Sequence, residues 1–212
     1  MTEQAAAPLA DEPAEVTIAS SERVFTGRIW DVRREAFDYG GETLVREFVD
    51  HTGAVAILAL DDEERVQLVK QYRHPVRMRE WEIPAGLLDV AGEDPLAAAK
   101  RELAEEVDLA ASTWQVLADY ATTPGGSDET IRIYLARGLS PLPAFAREGE
   151  EADMERRSVA LDDCVDAVLA RRVHNPSLCL GVLAAHAARS RGWDGLAPGD
   201  APWPGRTERG RG

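Results

Sequence analysis

The chain has little of what disulfide scaffolds, membrane proteins and nucleic-acid binders are built from. Its 212 residues include two cysteines, Cys164 and Cys179, too few for a disulfide framework and not in a CxxC pair, so both are expected to be reduced core thiols. No stretch reaches the ~18 consecutive apolar residues of a membrane span. The opening MTEQAAAPLADEPAEV has neither the basic nor the apolar segment of a secretory signal. A cytoplasmic location away from membranes is therefore expected. Lys and Arg number 24 against 38 Asp and Glu, for a formal charge of −14, which argues against non-specific attraction to nucleic acid or anionic lipid. A phosphate-bearing substrate approaching such a surface would need help, and bound divalent cations are the usual source of it. EF-hand loops and HExxH are also missing, and His51, His74, His174 and His186 sit apart from the acid-rich segment described below.

What is present suits one soluble globular domain, with 44% hydrophobic and 29% charged residues. Residues 1–19, rich in Ala, Pro and acid, read as a disordered extension, and 191–212, with Gly, Pro and Arg, as a flexible tail. Between them, the runs VFTGRIWDVRREAF, TLVREFVDH, GAVAILAL and RVQLVKQYR are rich in β-branched or aromatic residues with alternation and are punctuated by turn residues. These predict strands. Asp94-Pro95 then supplies an N-cap and a first helical residue ahead of LAAAKRELAEEV, made of good helix formers. WQVLADYAT and IRIYLARG predict two more strands around the turn TPGGSDE, and a short strand is expected near ERRSVAL. LDDCVDAVLARRV and NPSLCLGVLAAHAARS carry helical spacing and starting signals. The order predicts a layered α/β domain with a mixed sheet.

The helix bearing KRELAEEV is electrostatically odd. Glu102, Glu105 and Glu106 are related as i, i+3 and i+4 and share one face, while Leu96, Ala99, Leu103 and Val107 fall on another. Like charges at this spacing cost a few tenths of a kcal/mol each, and the helix C-terminus disfavours negative charge. Only Arg101 is placed to offset Glu105. An oxygen-rich cluster of this kind suits Mg²⁺ or Mn²⁺ with substrate phosphates. Pro84-Ala85-Gly86 just upstream follows a strand, and glycine there lets backbone approach the same metals.

From Gly86 to Leu109, GLLDVAGEDPLAAAKRELAEEVDL resembles the Nudix box, whose pattern is Gly, five residues, Glu, seven residues, then Arg-Glu-apolar-x-Glu-Glu-x-Gly-apolar. Glu93, Arg101, Glu102, Leu103, Glu105, Glu106 and Leu109 are in register. Six residues rather than five separate Gly86 from Glu93, and Asp108 stands where the pattern has its second Gly. The likeness runs from about residue 20 to about residue 190 and is greatest to the ADP-ribose pyrophosphatase branch, through GAVAIL, QYRHPVRMREWEIPAG, TPGGSDE and GEEADM.

The resemblance implies an α/β/α sandwich with a mixed sheet over 20–190, with N-terminal strands at about 20–50 used to form a homodimer. It implies Mg²⁺-dependent hydrolysis of ADP-ribose, or a related ADP-sugar, to AMP and ribose 5-phosphate, with Mn²⁺ as a substitute metal. Alternatives are another nucleotide sugar or a dinucleotide as substrate, or a nucleotide-sensing module without chemistry. Glu102, Glu105, Glu106 and the Ala85 carbonyl would be metal ligands. Glu151, with Glu150 as runner-up, would be the base, and Arg101 would orient a glutamate. Arg73 would contact the diphosphate, with Glu82 at the pocket edge and Leu87 also lining it. Thr123, Pro124, Gly125 and Glu129 would line the terminal-ribose pocket. Trp30 and Arg46 would be contributed across a dimer to hold the adenine.

Overall fold

A computed structural model describes residues 9–145 and 154–206. The chain divides into two compact units, Met1–Val49 and Asp50–Gly212. In the first, β1 (Thr17–Phe25), β2 (Asp31–Tyr39) and β3 (Glu42–Asp50) form a three-stranded sheet in that order. β1 begins inside the stretch read as an extension. The run VFTGRIWDVRREAF is broken in two because the chain folds back sharply at Gly27, whose N–H donates to Asp31 Oδ1 at 3.1 Å. A Cβ there would lie 2.1 Å from the Trp30 carbonyl oxygen, so only glycine fits.

The second unit is built on a five-stranded mixed sheet, ordered β11-β8-β9-β4-β7. Its strands are β4 (Ala54–Ala59), β7 (Ala85–Leu87), β8 (Leu109–Ala121), β9 (Thr130–Pro141) and β11 (Ala197–Pro198). β4 and β9 are parallel and the other pairs antiparallel. β5 (Arg65–Arg73), β6 (Met78–Glu82) and β10 (Glu155–Ala160) form a second, antiparallel sheet ordered β10-β5-β6. The helices are α1 (Pro95–Val107), α2 (Leu161–Leu169) and α3 (Pro176–Arg189).

β4 is buried along its whole length, and the two-residue alternation of a strand divides its side chains between two cores. Val55, Ile57 and Ala59, with Tyr134 and Ala136 of β9, pack against Ala98, Ala99, Leu103 and Val107 of α1. Ala56 and Leu58, with Ile133 and Leu135, pack against Leu161 and Cys164 of α2 and Leu178, Val182 and Ala185 of α3. Helices on both faces of a mixed sheet make the layered α/β domain expected from the order of elements, in the form of the α/β/α sandwich that the resemblance implies.

Capping accounts for the helix boundaries. Asp94 Oδ1 accepts from the Leu96 and Ala97 N–H groups at 2.9 and 3.3 Å, with Pro95 as first helical residue; a cap of this kind contributes about 1 kcal/mol. Asn175 does the same for α3 through the Leu178 N–H. α2 stops at Leu169, short of the expected Val173, because Arg171 adopts a left-handed conformation with φ 57°.

The segment from 191 differs from its reading as a flexible tail over its described part. β11 pairs with β8, and the Gly199 N–H donates to the Trp114 carbonyl at 3.0 Å. Arg132, 3% exposed, binds both carboxylate oxygens of Asp119 and donates to the carbonyls of Ala201 and Pro202 at 2.7 and 3.0 Å. Its guanidinium lies 4.8 Å from the Trp203 ring centroid, and that of Arg137 lies 5.0 Å from Trp193. Buried Arg132 and half-buried Arg137, contacts invisible to a local reading, hold the segment on the sheet. Cys164 is buried and Cys179 half-buried, both free, and burial pushes the Cys164 thiol up to about 11. No helix among the described residues is long and apolar enough to cross a membrane.

Candidate active site

Sheet pairing first brings the glycine loop and the acidic helix together. β7 lies antiparallel to β4 with Val55 opposite Gly86 and Ala56 opposite Ala85. The Ile57 N–H donates to the Pro84 carbonyl at 2.8 Å, fixing the start of the loop. α1 packs over the same strands, and Glu102 lies directly against Gly86. A Cβ on residue 86 would sit 2.0 Å from Glu102 Oε1 and 2.1 Å from its Cδ. Glycine is therefore required here for close approach rather than for a left-handed turn. Gly86→Ala is expected to displace Glu102 and lower metal-dependent turnover by about 10–100-fold with little change in thermal melting. Wild-type turnover in that variant would show that Glu102 need not meet the loop.

Arg101 resolves the crowding of carboxylates. Its Nε and Nη2 bind the two oxygens of Glu93 at 3.0 Å each, and its Nη1 reaches Glu102 Oε1 at 2.6 Å and Glu105 Oε2 at 3.1 Å. One planar guanidinium thus serves three carboxylates, a task its five donors suit and a lysine's point charge would not. The bond to Glu93 is the leading reason that the Arg101 pKa is raised, and it holds the Glu93 carboxyl below its ordinary range. The sequence predicted only the Arg101–Glu105 pair.

Glu106 falls between the acidic and apolar faces of α1 and is 6% exposed. Its Oε2 accepts from the Ala85 N–H at 3.2 Å, which ties the helix to the loop at a second point. Arg73 also belongs to this neighbourhood. Its pKa is raised first by its hydrogen bond to Glu82, and Glu106 adds to the effect through its charge. Arg73 Nε and Nη2 bind Glu82 Oε1 and Oε2 at 2.8 and 2.7 Å, and Gln71 Nε2 lies 3.4 Å from Oε2. Glu82, expected at a pocket edge, is 2% exposed with both oxygens engaged, while the Arg73 side chain is 45% exposed.

The turn between β8 and β9 opens at the same end of the sheet. Ala54, the first residue of β4, pairs with Leu87 on one side and Ile131 on the other, so Leu87 and the end of TPGGSDE flank one strand terminus. Thr123 accepts from the Gly126 and Ser127 N–H groups at 2.8 and 2.9 Å, closing the turn around Pro124 and Gly125. Glu129 accepts from Thr122 Oγ1 at 2.8 Å. His51, set aside in the sequence, lies behind it. Its Nδ1 accepts from the Gly53 N–H at 3.0 Å, which leaves the ring proton on Nε2, 3.4 Å from Glu129 Oε1. No local spacing links residues 51 and 129, so only the fold could reveal this pair.

Trp30 and Arg46 belong to the N-terminal unit, where Trp30 is 43% exposed and Arg46 Nη1 donates to the Val45 carbonyl. Glu150 and Glu151 lie outside the described residues. Both departures from the box pattern are accommodated. The longer loop is taken up in a turn with the Glu93 N–H bonded to the Val90 carbonyl at 3.1 Å and Gly92 at φ 77°, leaving Glu93 in place to meet Arg101. Asp108 takes the left-handed conformation of a helix C-cap, φ 57° and ψ 39°, one that Asp tolerates better than most residues.

The expected donors Glu102, Glu105, Glu106 and the Ala85 carbonyl are all oxygen, one carboxylate being buried and another laid against glycine, and this chemistry fits a hard divalent cation. Among the described residues no group of three His, Cys, Asp or Glu side chains stands in ligating geometry; here Arg101 balances Glu102 and Glu105 instead.

Comparison with known proteins agrees with this architecture. A chain from Mycobacterium tuberculosis described as ADP-ribose pyrophosphatase is 47% identical over 185 residues, covering 87% of this chain and 89% of the relative. A second ADP-ribose pyrophosphatase, from Bacillus subtilis, is 38% identical over 76% of this chain and 86% of its own. The methanol dehydrogenase activator of Bacillus methanolicus is 34% identical over 76% and 88%. A crystal structure described as that of an ADP compounds hydrolase superposes with a TM-score of 0.68 at 21% identity, over 86% of this chain and 99% of the other, a likeness of fold. Residues 50–177, more than half of the chain, match the NUDIX domain, and because that stretch carries the glycine loop, the Arg101-held glutamates and most of the sandwich that joins them, the chain belongs to the Nudix family.

Proposed function

We propose that the protein hydrolyses the diphosphate of ADP-ribose, giving AMP and ribose 5-phosphate, in a Mg²⁺-dependent reaction. The observation that carries this reading is the 47% identity to an ADP-ribose pyrophosphatase over 185 residues, a span reaching well beyond the box. Glu102, Glu105, Glu106 and the Ala85 carbonyl would hold Mg²⁺, with Mn²⁺ as a substitute. When bound, the metal neutralises diphosphate oxygens and favours attack by water.

The chain's own residues supply the rest. Glu82 holds the Arg73 guanidinium by two bonds, a preorganised cation for a diphosphate oxygen. Glu82 is thereby a positioning residue rather than a substrate contact. Arg101 keeps Glu102 and Glu105 in place between turnovers. Thr123, Pro124, Gly125, Glu129 and Leu87 would line the terminal-ribose pocket, with Glu129 steadied by His51 and Thr122. Glu151, or Glu150 beside it, would take the proton from the attacking water as the bond between phosphorus and the bridging oxygen breaks.

The N-terminal unit supports a homodimer. None of residues 9–49 is buried, and Ile18, Phe25, Trp30, Tyr39 and Val45 are exposed, which a three-stranded sheet does not sustain alone. Trp30 and Arg46 of one copy would then hold the adenine bound by the other; a single-chain mass in sedimentation would remove this reading. The test of function is a panel of ADP-ribose, GDP-mannose and NADH with Mg²⁺, assayed for mononucleotide release. ADP-ribose is expected to show the highest kcat/KM, and a preference for another member would overturn the assignment.

A further inference from the structure

Residues 51–53, between β3 and β4, are tied to two parts of the candidate site. On one side, the Leu88 N–H donates to the Gly53 carbonyl at 3.0 Å. The next two residues, Ala54 and Val55, pair with Leu87 and Gly86, and Gly86 lies against Glu102 of α1. On the other side, the His51 N–H donates to Asp128 Oδ1 at 2.8 Å, and a Cβ on residue 53 would lie 3.1 Å from the Thr130 carbonyl oxygen. Three residues thus connect the glycine loop to the turn between β8 and β9.

The His51 side chain completes the second connection. It is 7% exposed, with a partner at each ring nitrogen. Nδ1 accepts from the Gly53 N–H, so the tautomer that serves Gly53 is also the one that presents a donor to Glu129 Oε1. Glu129 Oε2 accepts from Thr122 Oγ1, and the Glu129 side chain keeps 23% of its surface exposed. The Glu129 carboxylate is therefore oriented from two sides, by the end of β8 and by the segment that leads into β4.

We propose that His51 is a positioning residue that sets selectivity for the terminal ribose. It orients Glu129 and, through the 51–53 segment, holds the turn that bears Glu129 in register with the glycine loop and so with the metal-ligand candidates on α1. This inference rests on the reading that Glu129 lines the terminal-ribose pocket. A site that hydrogen-bonds a substrate hydroxyl discriminates through the placement of its acceptor, and a displacement of ~1 Å can cost ~10²-fold.

The test compares ADP-ribose with the methyl ester of ADP, which keeps the diphosphate and lacks the terminal ribose. Both are assayed for AMP release with Mg²⁺ by the full-length wild type, His51→Ala, His51→Asn, His51→Gln and Glu129→Ala. The readout is the ratio of kcat/KM for the two substrates, from which any loss of folded enzyme cancels. His51→Ala is expected to lower that ratio by about tenfold or more, and the double variant His51→Ala/Glu129→Ala should be no lower than Glu129→Ala alone, because His51 acts through Glu129. His51→Gln, whose amide can still donate toward Glu129, should recover part of the ratio. His51→Asn, which can accept from Gly53 but is too short to reach Glu129, should not. A wild-type ratio in His51→Ala, or recovery in His51→Asn and not in His51→Gln, would overturn the assignment. Failure of the ribose reading looks different: the wild type would show no preference for ADP-ribose over the methyl ester, and Glu129→Ala would leave the ratio where it was.

Discussion

Glu106→Gln is expected to reduce Mg²⁺-dependent turnover by about three orders of magnitude while the fold persists. A ligated metal supplies several kcal/mol of transition-state stabilisation, and ~4 kcal/mol corresponds to ~10³ in rate. Gln has nearly the same shape as Glu and keeps an oxygen for the Ala85 N–H, so the tie between helix and loop at 3.2 Å survives. Only the charge is lost. Because the carboxylate is 6% exposed, neutralising it relieves a desolvation cost, and melting should hold or rise. Glu102→Gln should move activity in the same direction, and it also removes the ionic part of the 2.6 Å bond that Glu102 accepts from Arg101. Turnover at saturating Mg²⁺, read beside thermal melting, checks both. Unchanged turnover in either variant would remove that residue from the ligand set.

Glu151→Gln is expected to lower kcat by about 10²–10⁴-fold, the range for loss of a general base, with KM nearly constant because the base acts in the transition state. Steady-state kinetics with ADP-ribose measures both constants. The same loss in Glu150→Gln, with Glu151→Gln unaffected, would move the role to its neighbour. A rise in KM without a fall in kcat would assign the residue to substrate binding instead.

Much of the architecture was legible in sequence because it rests on local chemistry. Asp94-Pro95 and a run of helix formers specify α1, and the β-rich run GAVAILAL marks the strand that is β4. The acidic face of α1 was legible for the same reason, since i, i+3, i+4 spacing is a property of the helix alone.

Contacts distant in sequence were not legible. Arg101 reaches back to Glu93 across the first turns of α1, Gly86 is required by a side chain sixteen positions away, and His51 meets Glu129 only because β4 and β9 are neighbours. The C-terminal segment misled most. Its Gly, Pro and Arg content reads as a tail, yet Trp193 and Trp203 dock on Arg137 and Arg132. Those two tryptophans were the available signal, since large aromatic residues are costly to leave in water. Asp108 shows the converse. Its left-handed conformation follows from its position at the helix end, but its two long-range carboxylate bonds, from the Phe145 N–H and from Arg156, do not.

The central claim is that the α1 carboxylates form a hard-metal platform for a diphosphate. Calorimetric titration of Mg²⁺ into the protein with a non-hydrolysable ADP-ribose analogue, comparing wild type with Glu106→Gln, tests it most directly. Saturable binding in the wild type that is weakened at least tenfold in the variant is the predicted result, and equal Mg²⁺ affinity in the two proteins would contradict it.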